Sequence, residues 1–271
     1  MKLLCAWAGM ALLLTACDSS GRAEGAGQAP QPTVLSAPIP TASDKAAFDS
    51  PTPIATTSAS FSAPAASASG APPPVKRRYS VAAMGDSLSD PKAHGGKYLT
   101  YLAEQCPLSR FESWGKGGNM VSQMRKRFAR DVLGEGQSEP RSYTHVIVLG
   151  GIADIGSNET ANRTLPKIQA DLSEMYRLAQ EAGLEVVALT IPPWGSYHTY
   201  NDERHSMMLA MNAWLLAKPK NVEQVVDVYP LLVCGQRELC EKYAADTIHW
   251  NAKAHNLVGE VLHKQVFSDC E

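Results

Sequence analysis

Tyr79-Ser80-Val81-Ala82-Ala83-Met84-Gly85-Asp86-Ser87-Leu88-Ser89 is an apolar run that breaks into a polar turn. The run Tyr79 to Met84 shows no polar alternation after Ser80, as expected of a strand covered on both faces. Similar runs recur at Phe111 to Trp114, His145 to Leu149, Glu185 to Ile191 and Gln224 to Val228. Between them lie stretches of helical period, at Tyr98 to Gln105, Val121 to Leu133, Leu165 to Ala182, Glu203 to Ala217 and Ala252 to Phe267. Gly183 is placed to close the third helix, and Asn251 to cap the start of the last. Strand and helix in alternation predict an α/β fold: a five-stranded parallel sheet with helices on both faces, a three-layer sandwich. Such folds carry their sites at the carboxyl ends of the strands. Ser87, Gly118, Asp154 and the Pro192-Pro193-Trp194 loop all follow strands, so they are expected at one edge.

The chain of 271 residues divides by composition. Residues 1–16 hold Lys2 and an apolar run from Leu3 to Leu14, too short to span a bilayer, followed by Cys17 after small residues. This resembles a bacterial lipoprotein signal. It implies cleavage before Cys17, lipid on Cys17, and a protein fastened to a membrane of the bacterial cell envelope, facing the periplasm or the exterior. From residue 17 to residue 76 the chain is rich in Pro, Ala and Ser and holds ten of the eighteen prolines. It reads as a disordered tether, because it has too little apolar surface to offset ordering entropy. Residues 77–271 suffice for one domain with a full core, and a monomer is expected. The formal net charge of −2 gives no electrostatic case for nucleic acid. Of six cysteines, Cys5 and Cys17 belong to the export segment, which leaves Cys106, Cys234, Cys240 and Cys270 for two disulfides in an exported protein.

The chemistry rests on two distant segments. Ser87 lies at the mouth of the first strand, and Asp246-Thr247-Ile248-His249 precedes the last helix. A carboxylate three residues ahead of a histidine can hold one ring nitrogen and leave the other for a hydroxyl, which is what makes a serine nucleophilic. No metal or cofactor is implied. His94, His198 and His205 lack ligand spacing, and Gly115-Lys116-Gly117-Gly118 lacks the phosphate-loop pattern. His255 and His263 read as surface or packing residues, and Met207, Met208 and Met211 as core. Trp194, Tyr197 and Tyr200 either line a cleft or cover the top of the sheet.

These segments, with Trp114 to Asn119, resemble the SGNH/GDSL hydrolase family, and the resemblance covers Arg77 to Phe267. It implies a flavodoxin-like fold, with Ser87 as nucleophile, His249 as general base and Asp246 as its orienting partner. Gly118 and Ser87 would then donate backbone N–H groups to the oxyanion. The third family block, Gly-x-Asn-Asp, is matched by Gly151-Ile152-Ala153-Asp154, where Ala153 replaces the asparagine that would donate its amide. Asn119 and Asn158 are the candidate substitutes. Spacing within Cys234 to Cys240 suggests a short loop. In a doubly wound sheet the first and last helices share a face and a direction, which suggests the pair Cys106 and Cys270. The expected activity is serine ester hydrolysis of an acyl, chiefly O-acetyl, group on a carbohydrate or lipid ester. The alternatives are an O-acyltransferase on envelope carbohydrate and a catalytically weak carbohydrate-binding module.

Overall fold

A computed structural model of the protein describes residues 75–138 and 141–271. The signal, Cys17 and the tether up to residue 74 lie outside the described residues. The strands are β1 (Ser80–Gly85), β2 (Arg110–Gly115), β3 (His145–Leu149), β4 (Glu185–Leu189) and β5 (Gln224–Val226). All pair in parallel, in the order β2-β1-β3-β4-β5. The main helices are α1 (Lys97–Gln105), α2 (Val121–Asp131), α4 (Leu165–Glu181), α5 (Asp202–Leu216) and α7 (Ala252–Gln265). Three shorter elements join them: α3 (Ile152–Gly156), α6 (Tyr229–Leu232) and a hairpin of β6 (Val233–Cys234) and β7 (Glu238–Leu239).

Helix α1 packs on α7 against one face of the sheet, while α2 packs on α4, and α4 on α5, against the other. The chain therefore leaves β1 toward one face and β3 toward the opposite one. Their diverging loops open a crevice at the carboxyl edge, where this fold class places its sites. Strand β1 lies at the centre, and Val81, Ala82, Ala83 and Met84 are wholly buried. Tyr98 and Leu102 of α1, and Met124 and Phe128 of α2, are buried with it in one hydrophobic core. Met208 and Met211 are core, whereas Met207 is half-buried.

Two of the expected strands run past the real ones. The chain leaves β4 at Thr190 and β5 at Asp227 instead of Ile191 and Val228. The reason is local: Thr190 Oγ1 donates to Asp227 Oδ1 (2.8 Å) and accepts the Val228 N–H (2.9 Å), so side chains take over from the ladder. Asn251 caps α7 by accepting from Lys253 and Ala254 N–H at 2.9 and 3.2 Å.

Disulfides join Cys106 to Cys270 and Cys234 to Cys240. The first ties the end of α1 to the C-terminal segment. Arg77 pairs with that same segment, its N–H donating to Asp269 O and its carbonyl accepting from Glu271 N–H, both at 2.9 Å. Both chain ends of the domain thus meet at the amino edge of the sheet. Among the described residues no helix is long and apolar enough to cross a membrane.

Candidate active site

Ser87 follows β1 by two residues, in a turn that its neighbour Asp86 tightens. Asp86 Oδ1 accepts the Leu88 N–H at 3.0 Å, and its carbonyl accepts the Ser89 N–H at 3.1 Å. Burial pushes the Asp86 carboxyl up to about 6, against the lowering effect of the Leu88 N–H and His249. Below the turn, a Cβ on Gly115 would run into the Ser89 backbone, so only glycine lets the end of β2 approach so closely.

Asp246 and His249 share one turn ahead of α7, closed by the Ala245 N–H donating to His249 O at 2.8 Å. One Asp246 oxygen accepts the N–H groups of Ile248 (2.9 Å) and His249 (2.7 Å), while the other meets His249 Nδ1 at 2.7 Å. Burial raises the Asp246 carboxyl, but these two N–H groups and the imidazole outweigh it and hold it below the usual range. With Nδ1 so engaged, Nε2 faces Ser87 Oγ at 3.0 Å. The structure therefore brings the two segments, 162 residues apart, into one hydrogen-bonded line.

Ser87, Gly118, Ala153 and His249 open on a common cavity of about 490 Å³. Ile152, Trp194 and Ile248 supply apolar wall, and Tyr197 and His198 stand beside them with ring centroids 4.2 Å apart. Trp194 lines the cavity while fully buried, with Tyr197 and Tyr200 packed against its ring. Gly118 has φ +70, a conformation that favours glycine. Neither its N–H nor that of Ser87 has a protein acceptor among the described residues. Two free donors thus border the same space as the Ser87 hydroxyl.

Ala153 sits on the wall with no polar atom in its side chain. Neither expected substitute takes its place. Asn119 is buried with its Oδ1 accepting from Arg127 Nε at 2.8 Å, and Asn158 Oδ1 accepts from Arg204 Nε at 3.1 Å. Both carboxamides are engaged by arginines, and neither borders the cavity. His255 is a packing residue, buried and stacked on Tyr98.

Asp154 proves to be structural. Its fully buried carboxylate accepts the first N–H of α2, from Val121, at 2.8 Å and Arg163 Nε at 2.6 Å. Arg163 reaches on to Asp171 at 2.7 Å, and Arg125 meets the same Asp171 at 2.6 Å. Helix α2, which follows Gly118, is thereby pinned to α3, the short helix that carries Ala153. Sequence offered no signal for this, since an Asp nine residues before an Arg is unremarkable without the fold.

The profile of the GDSL-like lipase/acylhydrolase family matches residues 83–257, which span both segments. The chain belongs to this family. No curated protein sequence matches it. Among solved structures, a proposed acylhydrolase from Bacteroides fragilis superposes with a TM-score of 0.59 at 20% identity, covering 73% of this chain and 90% of the other. The acetyl xylan esterase AlAXEase gives 0.56 at 18% identity over 69% of this chain and 99% of its own. A variant of the acetyl-xylooligosaccharide esterase Axe2 from Geobacillus gives 0.55 at 16%, with coverage of 70% and 95%. At these identities the GDSL-family chain and its neighbours share a fold.

Proposed function

We propose that this protein is a serine esterase that removes small acyl groups, chiefly O-acetyl, from carbohydrate. The observation that carries the reading is the line Asp246–His249–Ser87, with contacts of 2.7 and 3.0 Å, at the mouth of a cavity bordered by two unused N–H groups. In the first step Ser87 Oγ attacks the acyl carbonyl carbon while His249 Nε2 takes its proton. The oxyanion faces the Ser87 and Gly118 N–H groups. Collapse expels the alcohol, which takes the proton from His249, and leaves an ester on Ser87. Water, deprotonated by His249, then attacks the acyl carbon; the bond to Ser87 Oγ breaks, Oγ recovers the proton from His249, and the acid leaves.

A carbohydrate substrate is supported by the Tyr197 and His198 rings at the cavity and by fold neighbours that act on acetylated xylan or its oligosaccharides. The test is covalent labelling by a fluorophosphonate, followed by hydrolysis of chromogenic acetyl and longer acyl esters. Ser87 should carry the label, and Ser87→Ala should abolish labelling and turnover. Labelling that persists in Ser87→Ala places the nucleophile elsewhere. Attachment to an envelope membrane through lipid on Cys17 belongs to the same proposal and rests on the signal-like sequence. Cys17→Ser should move the protein from the membrane to the soluble fraction, because a multi-chain anchor holds stably where a single chain does not.

A further inference from the structure

We propose that Arg127 is a positioning residue that sets the spacing of the two N–H groups facing the oxyanion. The proposal rests on the esterase reading above. Arg127 lies on α2, and its side chain is only 10% exposed. Its guanidinium joins two backbone carbonyls and one side-chain amide, from three segments that the reaction requires in fixed relation. Nη2 donates to Gly85 O at 3.1 Å, at the end of the strand that carries Ser87 two residues on. Nη1 donates to Trp114 O at 2.6 Å, at the end of the strand that leads to Gly118. Nε donates to Asn119 Oδ1 at 2.8 Å, beside Gly118 itself. The remaining contact, Nη1 to Asp131 Oδ2 at 3.0 Å, stays within α2 and supplies the countercharge.

Gly85 O also accepts the Lys116 N–H at 3.0 Å, so this carbonyl is the meeting point of both segments. A planar fork with donors in three directions can hold all of these acceptors, whereas a lysine ammonium, a point charge on a flexible stem, cannot hold them in one plane. Precise aim matters more here than in a three-donor site. Ala153 contributes no donor, so all stabilisation of the oxyanion by hydrogen bonds falls on Ser87 and Gly118, and each depends on placement to a fraction of an ångström.

The test measures kcat and KM on an acetyl ester, thermal stability, and affinity for a boronate that forms a tetrahedral anion on Ser87, using the folded wild type and the variants Arg127→Lys, Asn119→Leu and Asp131→Asn. Arg127→Lys should lower kcat by about 10- to 100-fold with KM changed less than about threefold, and should weaken the boronate in parallel. Asn119→Leu, which removes one of the three ties, should fall between it and the wild type. Asp131→Asn keeps all three ties and should change kcat less than about threefold, even if it melts earlier. Equal kcat losses in Arg127→Lys and Asp131→Asn, or a loss that appears in KM alone, would reduce Arg127 to a stabiliser of α2 and overturn the proposal. Ser87→Ala run alongside separates the two failures. Activity that survives Ser87→Ala overturns the esterase reading, while activity lost there but intact in Arg127→Lys overturns only this one.

Discussion

Ala153 leaves a methyl group at the position where the resemblance to the family's third block implies an amide, and it borders the cavity of about 490 Å³. Ala153→Asn should therefore raise kcat on small acetyl esters by at least several-fold with little change in KM, since a donor aimed at the oxyanion favours the transition state over the ground state. Steady-state kinetics check this, and a fall in kcat with the fold intact would mean that substrate uses the space. His255 makes a second test. Burial in the first place, and Lys97 in the second, push its imidazole down from the ordinary 6.5 to about 4. The unfolded chain then takes up the proton first. The stabilisation is complete above pH 6.5 and is lost as pH falls from 6.5 toward 4, up to about 3 kcal/mol. Asp86 acts oppositely: its folded carboxyl is raised from 3.8 to about 6, so its share of stability declines as pH rises through that window. Urea melts of wild type and His255→Phe at pH 7 and pH 4 isolate the histidine. The wild type should lose stability relative to the variant on acidification, and a constant difference would refute the assignment. At this scale Ser87, Asp246 and His249 were legible from a turn after an apolar run and a carboxylate three residues ahead of a histidine, and Gly118 and Ala153 only through the resemblance to the family's blocks. Arg127 was not. On a helix of ordinary amphipathic period it reads as a solvent-facing cation, and only the approach of two strand ends gives it buried acceptors.

The elements show the same division. The long runs announced themselves, and β3 was read to the residue, because buried strands and four-turn helices repeat their period often enough to register. Helix α3 has five residues and α6 has four, too few for a period, and the two-residue strands β6 and β7 have none. Yet the hairpin buttresses the site. Gly195, in the loop between Trp194 and Tyr197, donates its N–H to Arg237 O at 2.9 Å, and the chain runs on from Cys240 toward the Asp246 turn. Replacing Cys234 and Cys240 by serine should raise KM and lower kcat while costing little global stability. Closing a loop of six residues removes only about 2 kcal/mol of chain entropy on the loop-closure estimate. Kinetics alongside thermal melts decide this; unchanged kinetics would leave the hairpin without influence on the cleft.

For the whole molecule the balance reverses. The Cys106–Cys270 bond closes 164 residues, for which the same estimate gives about 5 kcal/mol. Its removal by paired serine substitution should lower the melting temperature far more than loss of the short bridge, while leaving KM of the folded fraction near that of the wild type. Equal melting temperatures for the two double variants would contradict this. The five-stranded parallel sheet and its two helical layers followed from the alternation of strand and helix. The contacts at the sheet's amino edge did not follow, because Arg77 with Asp269 and Glu271 is a pairing of chain ends that no local pattern encodes. That pairing has a geometric result. Arg77 and the segment Asp269 to Glu271 are hydrogen-bonded neighbours at the edge of the sheet away from Ser87. The two ends could therefore be spliced by a short linker and the chain reopened in the exposed stretch Glu135 to Ser138, giving a circular permutant expected to keep its turnover.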